Sequence, residues 1–433
     1  MNPVHIIGGG LAGSEAAYQL AKRNIPVIIY EMRPEVMTPA HSGGSFAELV
    51  CSNSLKAEAL DTGSGLLKAE LELMDSLLIR IAKECRVPAG GSLAVDRDMF
   101  SAKVTESLEA MENVQIVRGE VKDIPTDRPL IIASGPLTSD TLADKIKSLM
   151  GGGLYFFDAI SPIIDFDSVD MTKCYFKSRY GKGDPDYLNC PMTKDEYDAF
   201  YDALMDAEKV AFEDFEKMNV FEGCMPIEEM AARGRKTLAF GPLKPVGLEH
   251  PETDKRYYAV LQLRKENEEG TSYNLVGCQT KMKIGEQKRV FGMIPGLENA
   301  EFLRYGSVHR NTYINAPSKL DDRFRYQDNF YFAGQITGVE GYLESIASGL
   351  LAGYDLALRL TGGESRPFPR DSALGSLGLF VTDKYEATRK KYVPSNFHFG
   401  MLPAPEERIK DKKVKKTMMA EKAVNALKDF LKL

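Results

Sequence analysis

Three glycines near the N-terminus, Gly8, Gly10 and Gly13, constrain this chain more than any other feature. They follow an apolar run, Val4, His5, Ile6 and Ile7, that reads as a strand, and they open a segment from Leu11 to about Arg23 with helical periodicity. Pro26 breaks that helix, and Val27 to Tyr30 reads as a second strand closed by Glu31. Glycines at this spacing occur by chance in many loops. A strand before them, a helix after them and an acid about 20 residues on make the set a dinucleotide fingerprint. Gly8 permits the tight turn, Gly10 lets backbone amides approach a pyrophosphate, and Gly13 lets helix and strand pack closely. Gly9, Leu11 and Ala12 complete the loop at the positive end of the helix. Glu31 suits the adenosine ribose hydroxyls and disfavours a 2′-phosphate, so FAD or NAD is expected here rather than NADPH.

Farther along, Leu66 to Ile81 reads as one long amphipathic helix with Leu67, Leu71, Met74 and Leu78 on its core stripe, and Arg97 to Met111 as another. Val114 to Val117 and Leu130 to Ala133 read as strands, the second entering a Ser134, Gly135 turn. After about Met150 the rhythm changes to irregular aromatic strands, Leu154 to Ile164, Tyr257 to Arg264 and Ser272 to Val276, with a helix from Lys194 to Phe212. The first rhythm returns at Asn329 to Ala333, followed by Gly334, Gln335, Gly338 and Gly341 and a small-residue helix from Ser345 to Leu358. A second glycine turn entering a helix can face a flavin, which favours FAD over NAD, with close helix packing as the alternative use of those glycines. The expected class is α/β: a Rossmann-like FAD-binding domain, residues 1–150 and 326–433, with a second, inserted α+β domain at 151–325. The chain ends in a basic cluster, Lys410, Lys412, Lys413, Lys415 and Lys416, leading into a helix whose face reads as solvated.

A length of 433 residues with 43% hydrophobic content fits two domains with ample cores. No run of roughly 18 apolar residues occurs and the first strand starts at once, so no membrane span or signal peptide is expected and the location is taken as cytoplasmic. Six cysteines, 51, 85, 174, 190, 224 and 278, form no CxxC pair, so no metal site is expected and the thiols are read as reduced. The net charge of −7 disfavours a generic polyanion binder without excluding a local basic face.

Five segments carry a specific likeness: His5 to Ala16 (HIIGGGLAGSEA), Glu48 to Glu58 (ELVCSNSLKAE), Phe221 to Met230 (FEGCMPIEEM), Arg233 to Gly247 (RGRKTLAFGPLKPVG) and Tyr331 to Ala352. Together, over nearly the whole chain, they resemble the folate- and FAD-dependent tRNA (uracil-5-)-methyltransferases, the TrmFO family, relatives of the larger GidA-type tRNA-modifying flavoproteins. The resemblance implies transfer of a one-carbon unit from 5,10-methylenetetrahydrofolate to C5 of a T-loop uridine, with FAD and a reduced nicotinamide, NADH or NADPH, supplying electrons. tRNA and folate are the implied partners, with no obligate protein partner. Ribosomal RNA as the target, a GidA-like wobble-uridine activity and a non-catalytic flavin and RNA-binding module are the alternatives.

The resemblance also points to Cys51 and Cys224 as the reacting thiols. Uracil C5 becomes nucleophilic once a thiolate adds at C6. Cys224 lies just before Pro226 and a helix-like Ile227 to Met230, where a helix dipole would favour the thiolate. Cys51 lies in a polar loop before Ser52, Asn53 and Ser54. Cys85, Cys174, Cys190 and Cys278 read as small buried hydrophobes. Arg97, His309, Asn311 and Tyr342 are candidates for aligning substrate. Two basic runs, Arg233, Arg235, Lys236 and Lys244, then Lys281, Lys283, Lys288 and Arg289, fit phosphate contacts around an extruded base or else a solvated surface.

Overall fold

The computed structural model describes residues 1–151, 154–181, 183–210, 225–382, 392, 394–406 and 409–433. Its first sheet has six strands in the order Arg325–Gln327, Phe330–Phe332, Leu130–Ile132, Val4–Ile7, Val27–Glu31 and Val114–Arg118. All neighbours run parallel except the edge hairpin of Arg325–Gln327 with Phe330–Phe332. Val4–Ile7, Leu130–Ile132 and Phe330–Phe332 are buried throughout, the pattern of strands covered on both faces. From Val4–Ile7 the chain returns on one side through the helix Leu11–Ala21 to Val27–Glu31, while the other neighbour comes from a later segment. That reversal leaves a crevice beyond the carboxyl ends of the strands, at the glycine turn.

Leu11–Ala21 lies against Tyr342–Leu360, and small residues set the distance between them. A Cβ on Gly349 would stand 2.1 Å from the Ala12 carbonyl oxygen, and one on Gly353 2.8 Å from that of Ala16. On the other side of Leu11–Ala21, a Cβ on Gly13 would stand 1.9 Å from the Gly8 carbonyl oxygen. The later helix starts at Tyr342 rather than Ser345, because Gly341, at φ 109°, turns the chain immediately before it.

The stripe from Leu67 to Leu78 is buried as expected, but it belongs to two helices, Gly63–Leu73 and Leu77–Glu84. Asp75 at φ 53° ends the first, and the Ser76 hydroxyl accepts from the Ile79 amide to start the second. The buried Glu15 carboxylate accepts from the Ser76 hydroxyl (2.7 Å) and the Leu78 amide (3.2 Å). Glu70 does the same for the helix Ala373–Phe380, accepting from the amides of Ala373 (2.7 Å) and Leu374 (2.9 Å), while burial pushes its carboxyl up to about 8. Two buried acids thus occupy helix N-termini, where unsatisfied amides would otherwise face a core.

The second sheet is antiparallel, in the order Tyr175–Phe176, Leu188–Met192, Ala259–Lys265, Ser272–Leu275, Ile163–Asp165 and Phe302–Arg304. The expected strand from Leu154 to Ile164 breaks at Ser161 and Pro162, because proline offers no amide to a ladder. Leu154–Ile160 pairs instead with Ser307–Tyr313, a ribbon whose backbone reaches the first sheet's side through Thr312 to Pro136 (2.9 Å) and Ile314 to Ile336 (2.8 Å). The helix expected to run to Phe212 spans Lys194–Asp206, opened by a capping box of Thr193 and Glu196, and residues 211–224 lie outside the described part. At the end of the chain Lys412–Leu431 is helical, with Ala420, Ala423 and Leu427 buried. Among the described residues no helix is long and apolar enough to cross a membrane.

Gly349→Ala forces a Cβ against backbone between the two helices, an overpacking that costs about 1–3 kcal/mol. The thermal unfolding midpoint should fall measurably, and an unchanged midpoint would show that the helices are not held this close.

Candidate active site

The crevice at the glycine turn is a cleft lined by Gly8, Gly10, Leu11 and Ala12 on one side and by Gly334, Gln335, Tyr342 and Ser345 on another. Ala133, Ser134 and Gly135 close it at the end of their strand. Gly8 sits at φ 105°, which its position in the turn demands. No protein acceptor takes the amides of Gly10, Leu11 or Ala12 among the described residues, and a Cβ on Gly10 would meet nothing within 4 Å. Free amides at a helix N-terminus beside open space are what a pyrophosphate requires, so the residues fit a dinucleotide such as FAD. Gly9 and Gly13 serve behind the loop: the Gly9 amide donates to Glu31 (2.9 Å), and Gly13 abuts Gly8. Gly338 and Gly341 do not line the cleft; a Cβ on Gly338 would meet the Tyr392 ring at 2.5 Å, so that glycine answers to packing.

Glu31 lines the cleft from the end of its strand. Burial alone would raise its carboxyl, but Arg33 and the amides of Arg33 and Gly9 outweigh this and lower it, keeping it an ionised acceptor. Arg33, itself buried, donates to Glu31 (2.9 Å) and to Glu48 (3.0 Å). With both carboxylates engaged, Arg33 is not free for a 2′-phosphate. Glu48 is also lowered, since the Ser42 amide (2.7 Å) and hydroxyl (2.8 Å) overcome its burial. Beside them His41 is pushed down to about 4 by burial and by the charge of Arg33, so it is neutral at pH 7, and its Nδ1 lies 2.6 Å from the Thr38 hydroxyl. Arg33, Thr38, His41 and Glu48 all line the cleft and went unrecognised in the sequence. Only Arg33, two residues after Glu31, carries a positional signal.

Cys51 follows Val50 at the edge of the same cleft, in a loop as expected. Its amide and that of Ser52 both donate to the Tyr342 hydroxyl, at 2.8 and 2.9 Å. Arg264 donates to the Ser52 hydroxyl (2.8 Å) and the Asn53 side-chain oxygen (2.8 Å), and Asn53 donates in turn to the carbonyls of Val95 (3.0 Å) and Lys265 (2.8 Å). Arg97 is half-buried, paired with Glu266, and donates to the Leu49 carbonyl (2.6 Å), within electrostatic reach of Cys51 and Tyr342. Cys51, Arg97 and Tyr342 are therefore brought together, and Arg264 and Asn53 join them.

Other candidates lie elsewhere. Cys224 is outside the described residues; the helix Ile227–Ala232 begins directly after Pro226. The side chain of His309 is likewise outside the described part, and Asn311 is buried in the ribbon without lining the cleft. Arg235 pairs with Asp198 and Asp202 and stacks on Tyr201, Lys281 pairs with Glu229, Lys283 with Glu208 and Arg289 with Glu286. Arg233, Lys236 and Lys288 are exposed and Lys244 half-buried; none of these cations lines the cleft. Cys85, Cys190 and Cys278 are buried and Cys174 partly so. No cluster of metal-ligating side chains occurs among the described residues.

The family model described as "Glucose inhibited division protein A" matches residues 3–364. The chain is 54% identical over 98% of its length to a methylenetetrahydrofolate–tRNA-(uracil-5-)-methyltransferase TrmFO of Natranaerobius thermophilus, itself covered to 98%. It belongs to the TrmFO family. Family relatives of the same description in Staphylococcus aureus and Anoxybacillus flavithermus are each 53% identical over 99% of both chains. Among solved structures, GidA of Aquifex aeolicus superposes with a TM-score of 0.71 at 15% identity, covering all of this chain and 74% of that one. The Rossmann-like architecture with a further domain is thus shared with GidA.

Arg33→Ala strips the counterion from the buried Glu31 and the half-buried Glu48, which costs about 3–5 kcal/mol at pH 7. Both acids have folded values below the ordinary 4.5, so their contribution is complete above that value and is lost as pH falls through the folded values. Urea unfolding should show a gap between wild type and variant that is wide at pH 7 and narrows below pH 4.5; a constant gap would contradict the pairing. Tyr342→Phe leaves two amides of the Cys51 loop without their acceptor, so alkylation of Cys51 by iodoacetamide, followed by mass spectrometry, should speed up several-fold.

Proposed function

We propose that this chain transfers a one-carbon unit from 5,10-methylenetetrahydrofolate to C5 of a uridine in tRNA, as an FAD-dependent methyltransferase. The observation that carries this reading is end-to-end identity with TrmFO enzymes, joined to a cleft in which a dinucleotide site and a pinned cysteine loop share Tyr342. FAD is held by the amides of Gly10, Leu11 and Ala12 at its pyrophosphate and by Glu31 at its adenosine ribose, with Gly334 and Gln335 facing it from the second turn. When bound, the flavin supplies the carrier and reducing chemistry that turns the transferred carbon into a methyl group.

The protein's residues act on the uracil. A thiolate adds at C6, C5 of the resulting enolate attacks the one-carbon unit as that carbon's bond to its carrier breaks, and the C5 proton leaves. Expulsion of the thiolate, with two electrons that the reduced flavin would supply, restores the C5–C6 double bond of the ring bearing its methyl group. Cys51 and Cys224 share the two tasks of attack at C6 and handling of the C5 proton. Tyr342 fixes the backbone at Cys51, and burial keeps its hydroxyl protonated by raising it above the ordinary tyrosine range. Arg97 holds Leu49 and so the approach of the same loop. The T-loop uridine must leave its stack to reach the cleft, which favours recognition by shape and backbone. Arg233, Arg235, Lys236, Lys281 and Lys283 are proposed for phosphate contacts, exchanging weak surface ion pairs for RNA where such pairs exist. NADH or NADPH serves as reductant from outside the Glu31 site.

A GidA-like wobble-uridine activity is disfavoured by sequence: the chain is 53–54% identical to the TrmFO relatives and 15% identical to the Aquifex GidA.

Purified protein incubated with unmodified tRNA, radiolabelled methylenetetrahydrofolate and NADH or NADPH should yield labelled 5-methyluridine. Absence of that product would sink the reading. Cys51→Ala and Cys224→Ala should each abolish methylation while the protein stays yellow, and full activity in both would remove the thiols from the mechanism.

A further inference from the structure

On the far side of the Cys51 loop lies a separate cavity of about 370 Å³, lined by Lys56, Gly63, Ser64, Glu344, His398 and Lys416. The strand Ser54–Ala57 leads to it directly from Cys51, Ser52 and Asn53. Gly63 and Ser64 open the eleven-residue helix Gly63–Leu73, whose N-cap Thr62 satisfies only the Gly65 amide. The Gly63 and Ser64 amides have no acceptor among the described residues, so two donors at the positive end of a helix face the cavity. Lys68, buried on the same helix, donates to the carbonyls of Leu55 (2.6 Å) and Lys56 (3.2 Å) and so fixes the backbone at Lys56, which stands at φ 65°.

The wall opposite is also short of partners. Glu344 is 3% exposed, and its Oε2 has no hydrogen-bond partner, while its other oxygen accepts from the Phe397 amide at 2.8 Å. Burial raises this carboxyl, against the opposing charge of Lys56 and the Phe397 amide. His398 Nδ1 accepts from the Gly400 amide at 3.1 Å, which leaves the proton of the neutral ring on Nε2. Lys416 spans the rim over the Phe399 ring, 5.8 Å from its centroid.

Lys416 closes a run with Lys412, Lys413 and Lys415 in the opening turns of the C-terminal helix, where the backbone dipole is already positive. Cations in that position destabilise a helix, and Asp411 at the N-cap offsets only part of the cost. No ion pair to Lys56 or to these four lysines is present among the described residues. A row of unpaired cations running away from an amide-lined cavity suits a strand of successive negative charges better than one isolated anion.

We propose that this cavity is a phosphate subsite for the RNA substrate, in which the Gly63 and Ser64 amides, Lys56 and Lys416 hold one phosphodiester close to the reacting uridine and the remaining lysines track the strand beyond it. The proposal rests on the RNA reading given above. Its place behind the Cys51 loop lets one bound phosphate set the position of the strand as the base enters the flavin cleft.

The test uses the full-length flavin-loaded protein and a tRNA transcript, with Kd followed by fluorescence anisotropy across a salt series. In Lys56→Gln/Lys416→Gln the slope of log Kd against log salt should fall by about one to two units, with Kd raised roughly tenfold. KM for tRNA should rise likewise, while KM for methylenetetrahydrofolate and the flavin spectrum stay as in wild type. Lys145→Gln, a half-exposed lysine paired with Asp123, is the control for loss of generic positive charge. The subsite is overturned if the double variant matches that control. It is overturned equally by a raised folate KM with unchanged tRNA binding, which would give the cavity to the carboxylates of the folate. Failure of the wild-type protein to make 5-methyluridine would count against the function, whereas an active wild type with an unchanged salt slope in the variant would count against this site alone.

Discussion

The contact between the helices Leu11–Ala21 and Tyr342–Leu360 holds the rest of this structure in place. Gly349 and Gly353 let the second helix lie against the backbone of Ala12 and Ala16. Because the two helices start at the same end of the sheet, their closeness brings two glycine turns, more than 300 residues apart in the chain, to one cleft. One turn leaves its free amides at the cleft. The other delivers Tyr342, and with it the cysteine loop. A wider spacing would separate cofactor site from chemistry.

Around that contact the molecule relies on buried carboxylates in two different ways. Glu15 and Glu70 sit at helix N-termini, where amides and dipoles replace the water they have lost. Glu31 and Glu48 share the Arg33 guanidinium instead. The first pair joins helices within the core, and the second keeps an ionised acceptor at the rim of the cleft. Glu15, Glu31 and Glu70 are buried and Glu48 half-buried; the donors around each decide which way its carboxyl moves. Amides alone leave Glu70 pushed up to about 8, whereas a guanidinium brings Glu31 below its ordinary value.

Legibility in the sequence followed the range of the interactions. The strand, turn, helix and acid from Val4 to Glu31 are local, and their periodicities state them directly. The helix break at Asp75 and Ser76 is hidden because the apolar stripe keeps its phase through Met74 to Leu78, and the break depends on Glu15, about 60 residues earlier in the chain yet in hydrogen-bond contact with Ser76 and Leu78. The Lys194 helix was drawn too long because its polar pattern continues past Asp206. The likeness of whole segments points to Cys51 and Cys224, while Arg97 and Tyr342 stand out only as polar groups near element ends. The likeness says nothing of Arg264 and Asn53, whose part is visible only once the second sheet lies beside the loop. His41 and Glu48 stayed hidden too, being ordinary polar residues until Arg33 is folded among them.

The Cys51 loop is tied at Tyr342, 291 residues away, and at Arg264, 212 residues away from Ser52. Neither partner exists for the loop until the middle and the end of the chain have been made and have settled on the first sheet. The reactive geometry is therefore a late product of folding. A nascent or clipped molecule lacks both anchors, so its Cys51 loop is without the hydrogen bonds that order it. In this architecture the ordering of the Cys51 loop depends on the whole polypeptide being in place.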